Sequence, residues 1–201
     1  MSQPFTKMSA VAAPMLEDNI DTDIIIPSRE MKSTGKSGLA GGLFAGRRYL
    51  PGGRVPDPGF ILNHADMANV AILLAGDNFG CGSSREHAVW ALVEYGIRAI
   101  IAPSFSPIFA GNAVRGGVLP LVLPRAAVRA LAAIRGPVSI DLAAQTVKAA
   151  KLAFDFAIDA EAKAMLLGGL DGIDLTLRSR NAIAAWEHAD RQARPWVYLD
   201  R

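Results

Sequence analysis

The run Asp77–His87, DNFGCGSSREH, combines residue types that together could hold a small anion. It follows the apolar segment Val70–Ala75, which predicts a buried strand, and it opens a helical pattern. At a helix N-terminus, free backbone N–H groups and the helix dipole favour negative charge. Gly80 and Gly82 let the backbone approach a ligand, and the planar fork of Arg85 suits a carboxylate or phosphate. The spacing therefore predicts an anion-binding turn.

Other interpretations of this run compete with that one. Ser83 and Glu86 match the capping box, in which Ser83 would only cap the helix and contribute about 1 kcal/mol. Taken alone, the spacing favours this cap over a catalytic serine. A dinucleotide-binding fingerprint fails because its third glycine would fall at Arg85. A phosphate-binding P-loop fails too, because the Gly-Lys-Ser tripeptide at 35–37 follows no strand and lacks the required upstream glycine.

The remaining reactive side chains give weaker signals. The three histidines lie far apart and lack metal-ligand spacing with the only cysteine, Cys81. A single thiol excludes an intrachain disulfide and any cluster or zinc site that needs several thiolates from this chain, so no metal site is predicted. The Asp21-Thr22-Asp23 turn has two interpretations. Its carboxylates satisfy their own turn, or they orient Arg85 by ion pairing.

Strand and helix patterns alternate after residue 70, which predicts an α/β domain that positions the turn. Helical spacing runs from Ser84 to Tyr95 and ends at Gly96. The strand at 118–123 contains Pro120, so we expect it at a sheet edge. The remaining patterns predict strands at 8–16, 97–102, 138–142 and 154–158, and helices at 107–114, 125–134, 160–167 and 181–193, the last with Ile183 and Trp186 on one side.

Residues 32–59 differ in composition from the rest of the chain. They are rich in glycine and proline and carry few large apolar side chains, which predicts a long mobile loop. Loops of that length inside a compact domain are usually functional or disordered. A linker between two domains is the alternative, but the residues before position 32 are too few for an independent core. The expected organisation is therefore one domain, 1–201, with a functional loop within it.

Composition narrows the class of protein. The chain has 201 residues, of which 51% are hydrophobic and 20% are charged, which is typical of a globular protein. A formal net charge of only +2 argues against a nucleic-acid binder that works by phosphate neutralisation. No apolar run approaches the roughly 18 residues of a membrane helix. Pro14 interrupts the apolar stretch near the amino terminus, which disfavours an export signal and predicts a cytoplasmic protein.

Several segments together resemble one known family. The segment Asn78–Ala88 looks like the signature of the small subunit of 3-isopropylmalate dehydratase, in the aconitase superfamily. Residues 19–27 resemble the amino-terminal motif of that family, residues 102–120 its middle and residues 169–177 its carboxyl end. The resemblance runs along nearly the whole chain.

The resemblance implies a fold, an activity and a partner. The fold would be a single compact swivelling-type β/β/α domain like the aconitase C-terminal domain, with 32–59 as its flexible substrate-recognition loop. The activity would be that of a hydro-lyase that interconverts 2-isopropylmalate and 3-isopropylmalate through isopropylmaleate in leucine biosynthesis. A large subunit would complete the heterodimer and would hold a [4Fe–4S] cluster through three cysteines, while this chain would bind none.

The resemblance also implies roles for individual residues. Ser83 would be the catalytic base that removes the proton adjacent to a carboxylate, and Arg85 would bind a substrate carboxylate. Thr22 and Asp23 would line and orient the pocket. The other substrate-binding residues would be Gly82, Ser84 and Lys36.

One departure from the family leaves the substrate side group open. The recognition loop usually has an Arg before a Thr-Gly, where this chain has Lys36-Ser37-Gly38. Lysine keeps the charge but loses the bidentate geometry. The alternatives are a sister hydro-lyase subunit acting on homoaconitate, citraconate or a 2-methylmalate-type acid, and a partnerless anion-binding module.

Overall fold

The computed structural model describes residues 3–31 and 35–198. Within them one seven-stranded sheet carries the fold, in the order β4-β3-β2-β1-β5-β6-β7. In chain order the strands are β1 (Lys7–Met15), β2 (Val70–Ala75), β3 (Ala99–Ala102), β4 (Leu119–Val122), β5 (Val138–Asp141), β6 (Thr146–Ala149) and β7 (Leu152–Asp155).

Strand β1 joins two halves of the sheet that differ in direction. Its residues 7–10 pair antiparallel with β5, and its residues 11–15 pair parallel with β2 after an irregularity between Val11 and Ala12. Strands β2, β3 and β4 are parallel, whereas β5, β6 and β7 are antiparallel. Strand β4, which contains Pro120, lies at one edge, so that prediction is confirmed.

Helices cover both faces of the sheet. They are α1 (Thr22–Ile25), α2 (Ala45–Arg48), α3 (Glu86–Tyr95), α4 (Pro107–Gly116), α5 (Arg125–Ala132), α6 (Ala160–Gly168), α7 (Gly172–Leu177) and α8 (Arg180–Ala193). Short 3₁₀ turns lie at Ser28–Glu30, Ala40–Gly42, Ile61–Asn63, Ala65–Met67 and Pro195–Val197. No helix among the described residues is long and apolar enough to cross a membrane.

The core has two layers because successive side chains of a strand point to opposite faces. In β2, Leu73 and Ala75 join the layer under α3 and α4, while Ile72 and Leu74 join the layer under α5 and α6. A strand that is buried on both faces reads as a continuous apolar run, as Val70–Ala75 does. This is the part of the sheet that ends at the predicted anion-binding turn.

Most predicted elements form close to their expected bounds. Asp159 caps α6 by accepting hydrogen bonds from the N–H groups of Glu161 and Ala162, as its position before the helix predicts. Strand β6 was not predicted. It is only four residues long, and the left-handed backbone of Gln145 and Ala150 on either side lacks the usual glycine signal.

The glycine-rich segment is more ordered than its composition predicts. Leu39, Leu43 and Phe44 are buried in the main core layer, and Phe44 packs 5.9 Å from the ring of Phe60. A long mobile loop is therefore the wrong description of residues 39–48, which are anchored by these side chains. Residues 32–34, at the start of the predicted loop, lie outside the described residues.

Candidate functional site

Three loops meet at one edge of the sheet. Strands β1, β2 and β3 are parallel over their carboxyl halves, so the loops that follow them emerge on the same side. These loops carry the Asn19–Asp23 turn, the Asp77–Arg85 run and residues 103–106. The edge is the place where open α/β sheets bind ligands, and it brings the two sequence motifs together.

Backbone hydrogen bonds fix the Asp77–Arg85 run to the first loop. The N–H of Gly80 donates to the carbonyl of Ile20 at 2.8 Å, and the N–H of Thr22 donates to the carbonyl of Cys81 at 2.9 Å. These bonds pair the two loops like short neighbouring strands. They set the register that brings Thr22 next to the turn.

The third loop holds the other side of the run at Phe79. The N–H of Phe79 donates to the carbonyl of Ser104 at 3.1 Å, and the Phe79 carbonyl accepts from the N–H of Ser106 at 3.0 Å. The buried Phe79 ring packs edge-on against Phe105 and Phe109, at centroid distances of 6.2 and 5.3 Å. The turn is thus held by backbone hydrogen bonds to the loops on both sides and by the packing of Phe79 in an aromatic cluster.

Gly80 is required for this packing. Its φ is +75°, in the left-handed region that favours glycine, and a Cβ there would overlap the Phe109 ring. The backbone after it bends back at Gly82, where φ is +88°. The two glycines therefore let the chain turn sharply and present the following residues outward.

Ser83 lies in a small cleft with an exposed side chain. The cleft is lined by Thr22, Gly80, Gly82, Ser83, Ser84, Arg85, Ser106, Ile108, Phe109 and Asn112. The buried hydroxyl of Thr22 donates to the carbonyl of Ser83 at 2.9 Å, so Thr22 holds the serine backbone. Within the described part of the chain, the Ser83 hydroxyl has no hydrogen-bond partner. It is exposed at this cleft, which with a volume of about 10 Å³ has room for about one water molecule.

Arg85 forms an ion pair with Asp23. The side chain of Arg85 is 21% exposed and that of Asp23 is 55% exposed, so the pair lies at the rim of the cleft. Asp21 instead caps α1, with its carboxylate accepting from the N–H of Ile24 at 2.7 Å. The two interpretations of the Asp21-Thr22-Asp23 turn therefore each hold for one carboxylate. Asp21 accepts a hydrogen bond within its own turn, and Asp23 orients Arg85.

The capping interpretation of Ser83 is wrong. Helix α3 begins at Glu86, and the residue before it, Arg85, has an extended backbone and makes no side-chain capping bond. Ser83 and Ser84 belong to the turn, and the helix starts two residues later than the spacing predicts. The first-turn N–H groups of α3 thus lack a side-chain cap, and the helix begins directly after Arg85, which lines the cleft.

Lys36 is not part of the Ser83 cleft. Its ammonium group lies 5.2 Å from the ring centroid of Trp90, and it lines a neighbouring groove of about 410 Å³. Asn112 lines both the groove and the cleft, so the two are adjacent. The structure brings Thr22, Asp23 and Arg85 to Ser83 but leaves Lys36 one groove away.

Sequence reasoning missed two supports of the site. Asn112 is almost fully buried between the cleft and the groove, and its side chain accepts from Arg115. The guanidinium of Arg125 bridges Asp18 and Asp77, and together with the Asp77 N–H it lowers the pKa of Asp18 below its ordinary value. Arg125 meets Asp18 and Asp77 only by long-range pairing, so local spacing gives no signal for it. Asn112 and Arg115 are three residues apart on α4, but that spacing does not reveal that Asn112 lines the cleft.

The donor atoms of this chain do not suit an iron–sulfur cluster. Such a cluster is held by several cysteine thiolates, whereas the chain has one cysteine, the half-buried Cys81. Across residues 3–31 and 35–198, no group of three or more His, Cys, Asp or Glu side chains could hold a metal ion. A cluster at this site would have to be bound by another chain.

Comparison with known proteins agrees with this geometry. Residues 2–126 match the aconitase C-terminal domain family, and residues 173–199 match the C-terminal domain of 3-isopropylmalate dehydratase small subunits. The 3-isopropylmalate dehydratase small subunit of Cupriavidus necator is 54% identical, over 98% of this chain and 99% of its own length. The chain belongs to the family of 3-isopropylmalate dehydratase small subunits. The predicted resemblance is therefore confirmed.

Other members of this family match over similar lengths. The small subunits of Cereibacter sphaeroides and Agrobacterium fabrum are 45% and 46% identical, each over 97% of this chain and 100% of their own lengths. A crystal structure of 3-isopropylmalate dehydratase from Methanocaldococcus jannaschii matches with a TM-score of 0.66 and 28% identity, over 90% of this chain and 99% of that one. The predicted α/β fold of the aconitase C-terminal type is confirmed, and a dehydratase is a hydro-lyase, as predicted.

Proposed function

We propose that this chain supplies the residues that transfer the proton in a 3-isopropylmalate dehydratase active site, and that a large subunit supplies the rest of that site. The observation that carries the proposal is the cleft in which an open Ser83 hydroxyl lies beside Arg85, itself oriented by Asp23. The family membership of the chain gives the substrate class, since the three relatives described above bear this one name.

In this proposal Ser83 acts as the base. Its alkoxide oxygen takes the proton from the carbon adjacent to a carboxylate and becomes the hydroxyl. Hydroxide leaves the neighbouring carbon, and the double bond of isopropylmaleate forms between the two carbons. Addition of water in the opposite sense returns a proton from Ser83 to the other carbon. A serine oxygen is a poor base in water, so it needs nearby positive charge and N–H donors. Arg85 and the uncapped first turn of α3 are the groups that meet this need.

Arg85 binds a substrate carboxylate through its planar fork. Asp23 keeps the guanidinium in place before the substrate arrives, which lowers the entropy lost on binding. Gly82 and Ser84 shape the cleft at the backbone, and Thr22 holds the Ser83 carbonyl. Each of these residues binds or positions, and only Ser83 transfers a proton.

The large subunit holds a [4Fe–4S] cluster in this proposal, because this chain lacks the thiolates for it. When bound by that subunit, the cluster would supply a Lewis acid to make hydroxide an acceptable leaving group. The predicted heterodimer and cytoplasmic location belong to the same proposal. Lys36 contributes to substrate recognition from the neighbouring groove in this proposal.

The test is reconstitution with the large subunit of the same organism under anaerobic conditions. We expect no turnover by either chain alone, and interconversion of 2-isopropylmalate and 3-isopropylmalate by the pair. Isopropylmaleate should be hydrated faster than citraconate or homoaconitate. Preference for either of those acids would replace the substrate named here with a sister hydro-lyase substrate, and turnover by the isolated chain would overturn the division of labour.

Arg85→Lys sharpens this test. The variant keeps the charge but loses the bidentate contact, so we expect kcat/KM to fall about 10–100-fold. The matched control is Arg129→Lys, an exposed arginine on α5, which should leave kcat/KM within about twofold. Equal rates for the two variants would remove Arg85 from the site.

A further inference from the structure

The last part of the chain, residues 171–198, has no buried side chain among its described residues. This carboxyl-terminal arm contains α7, α8 and the 3₁₀ turn Pro195–Val197. Half of the twelve large apolar side chains that are exposed in the described chain belong to it: Ile173, Leu177, Ile183, Trp186, Trp196 and Val197. Such a concentration of exposed apolar surface is typical of an interaction site.

Several polar side chains of the arm find their partners within the arm itself. Asp171 and Asp174 form a capping box at the start of α7. Near the end of α8, Asp190 accepts from the Tyr198 hydroxyl at 2.7 Å and pairs with Arg194, which folds the last turn back on the helix. Several charged groups of the arm are therefore paired within it, while both of its tryptophans are exposed.

Helix α8 needs a partner surface. It has 14 residues, a length at which an isolated helix is only marginally stable in water. Trp186 is 62% exposed and lies among alanines at helical spacing, Ala182, Ala189 and Ala193. A large aromatic ring among small residues forms a flat apolar face with one protruding anchor.

The start of the arm is continuous with the catalytic cleft. Asp171, its first residue, lines the same 410 Å³ groove as Glu86 and Asn112. Asn112 also lines the cleft that holds Ser83 and Arg85. A protein that covers the cleft and the groove therefore reaches Asp171 at the start of the arm, whereas a second copy of this chain seated at that point would stand in its way.

We propose that the face of α8 centred on Trp186 is a docking surface for the large subunit. The proposal rests on the proposed function for the identity of that partner. The arm lies outside the segment that matches the aconitase domain, 2–126, and coincides closely with residues 173–199, which match the domain found at the carboxyl end of the small subunits. It is thus an addition to the catalytic domain, suited to holding together two chains that share one active site.

The experiment measures the affinity of the full-length chain for the large subunit of the same organism by sedimentation velocity under anaerobic conditions. We expect Trp186→Glu to weaken the complex about 30-fold or more, because it replaces an aromatic anchor with a charge. The matched control is His188→Glu, which adds the same charge on another face of α8 and should bind like wild type. Both variants should keep the wild-type thermal unfolding midpoint, since both positions are exposed. Trp186→Ala, which adds no charge, should weaken binding in the same direction.

The outcomes are distinguishable. Wild-type affinity in Trp186→Glu would overturn the docking surface while leaving the proposed function intact. A dimer of the isolated chain that Trp186→Glu dissociates, with unchanged affinity for the large subunit, would assign this face to a second copy and also overturn it. Failure of the wild-type chain to bind the large subunit at all would overturn the proposed function together with it. Ser83→Ala should bind normally and lack activity, which separates docking from chemistry.

Discussion

Two glycine-containing segments of this protein look alike in sequence and differ in what anchors them. The Asp77–Arg85 run is held by backbone hydrogen bonds to loops on both sides, which leaves its serines facing outward. Residues 35–59 are instead anchored by apolar side chains that are buried in the core. They are also anchored by the carboxylate of Glu94, which accepts hydrogen bonds from the N–H groups of Gly38 and Ala40 at 2.7 and 2.8 Å. The glycine content of a segment therefore indicates where its backbone can turn. The side chains and hydrogen bonds around the segment determine how firmly it is anchored.

Replacing one serine in each segment tests the difference most strongly. Ser83→Ala should lower kcat of the reconstituted enzyme about 10²–10⁴-fold, the usual contribution of a general base. Ser37→Ala, at an exposed position of the other segment, should leave kcat within about threefold. Steady-state kinetics checks both, with unfolding midpoints to confirm that each variant folds. Near-normal turnover by Ser83→Ala would reduce this serine to a structural part of the turn.

Removing an anchor from the second segment should cost stability. Phe44→Ala is expected to lower the free energy of unfolding by about 3–5 kcal/mol, because the ring is fully buried. Its left-handed backbone, with φ of 50°, costs only about 1–2 kcal/mol, which the buried ring outweighs. Val55→Ala, in the same segment but exposed, should change stability by less than about 0.5 kcal/mol. Urea unfolding measures both, and a small effect of Phe44→Ala would restore the mobile-loop description.

Adding a methyl group to one glycine of each segment gives a smaller contrast. Gly80→Ala should destabilise the protein by about 2–4 kcal/mol, since it combines overlap with Phe109 and an unfavourable φ. Gly52→Ala has a similar φ of +84° but open space around it, so only about 1–2 kcal/mol is expected. Thermal or urea unfolding compares the two. Equal losses would mean that the aromatic cluster yields easily.

Acid should loosen the contact of Glu94 with the second segment. The backbone N–H groups of residues 38–40 lower the pKa of Glu94 below its ordinary value of 4.5. A depressed folded-state pKa stabilises the protein fully above the unfolded value, and this stabilisation is lost as the pH falls through the folded value. The difference in unfolding free energy between wild type and Glu94→Gln should therefore shrink from pH 6 to pH 3. A difference independent of pH would contradict the role of Glu94, and Glu94→Asp should keep the same direction.

The sequence predicted the elements with strong local signals. The buried run Val70–Ala75, the stop at Gly96 and the cap at Asp159 each depend on neighbouring residues, and each is observed. Thr22 and Asp23 were associated with Ser83 and Arg85 by resemblance, and the pairing of the β1 and β2 loops brings them together. The residues alone left ion pairing with Arg85 as one of two interpretations of the Asp21-Thr22-Asp23 turn, because only the tertiary structure decides between them.

The predictions that failed concern the start of α3 and the glycine-rich segment, and in both cases tertiary contacts outweigh the local sequence pattern. Ser83 and Glu86 satisfy the pattern of a capping box, but tertiary hydrogen bonds at Gly80 and Cys81 hold the preceding turn, and the backbone becomes helical only at Glu86. Leu39, Leu43 and Phe44 are too few to raise the local apolar content, yet all three reach the core. Burial of a few well-placed side chains outweighs the composition of a segment.

The divided pairing of β1 has a consequence for how the chain acquires its shape during synthesis. This strand is made before the other six, yet its antiparallel neighbour lies far downstream, and the contact between the Ser9 and Ser139 hydroxyls spans 130 positions. Contacts between such distant positions slow folding, because a long stretch of chain must be closed before they form. We expect residues 11–15 of β1 to pair with β2 first, and residues 7–10 to stay unpaired until β5 has emerged from the ribosome.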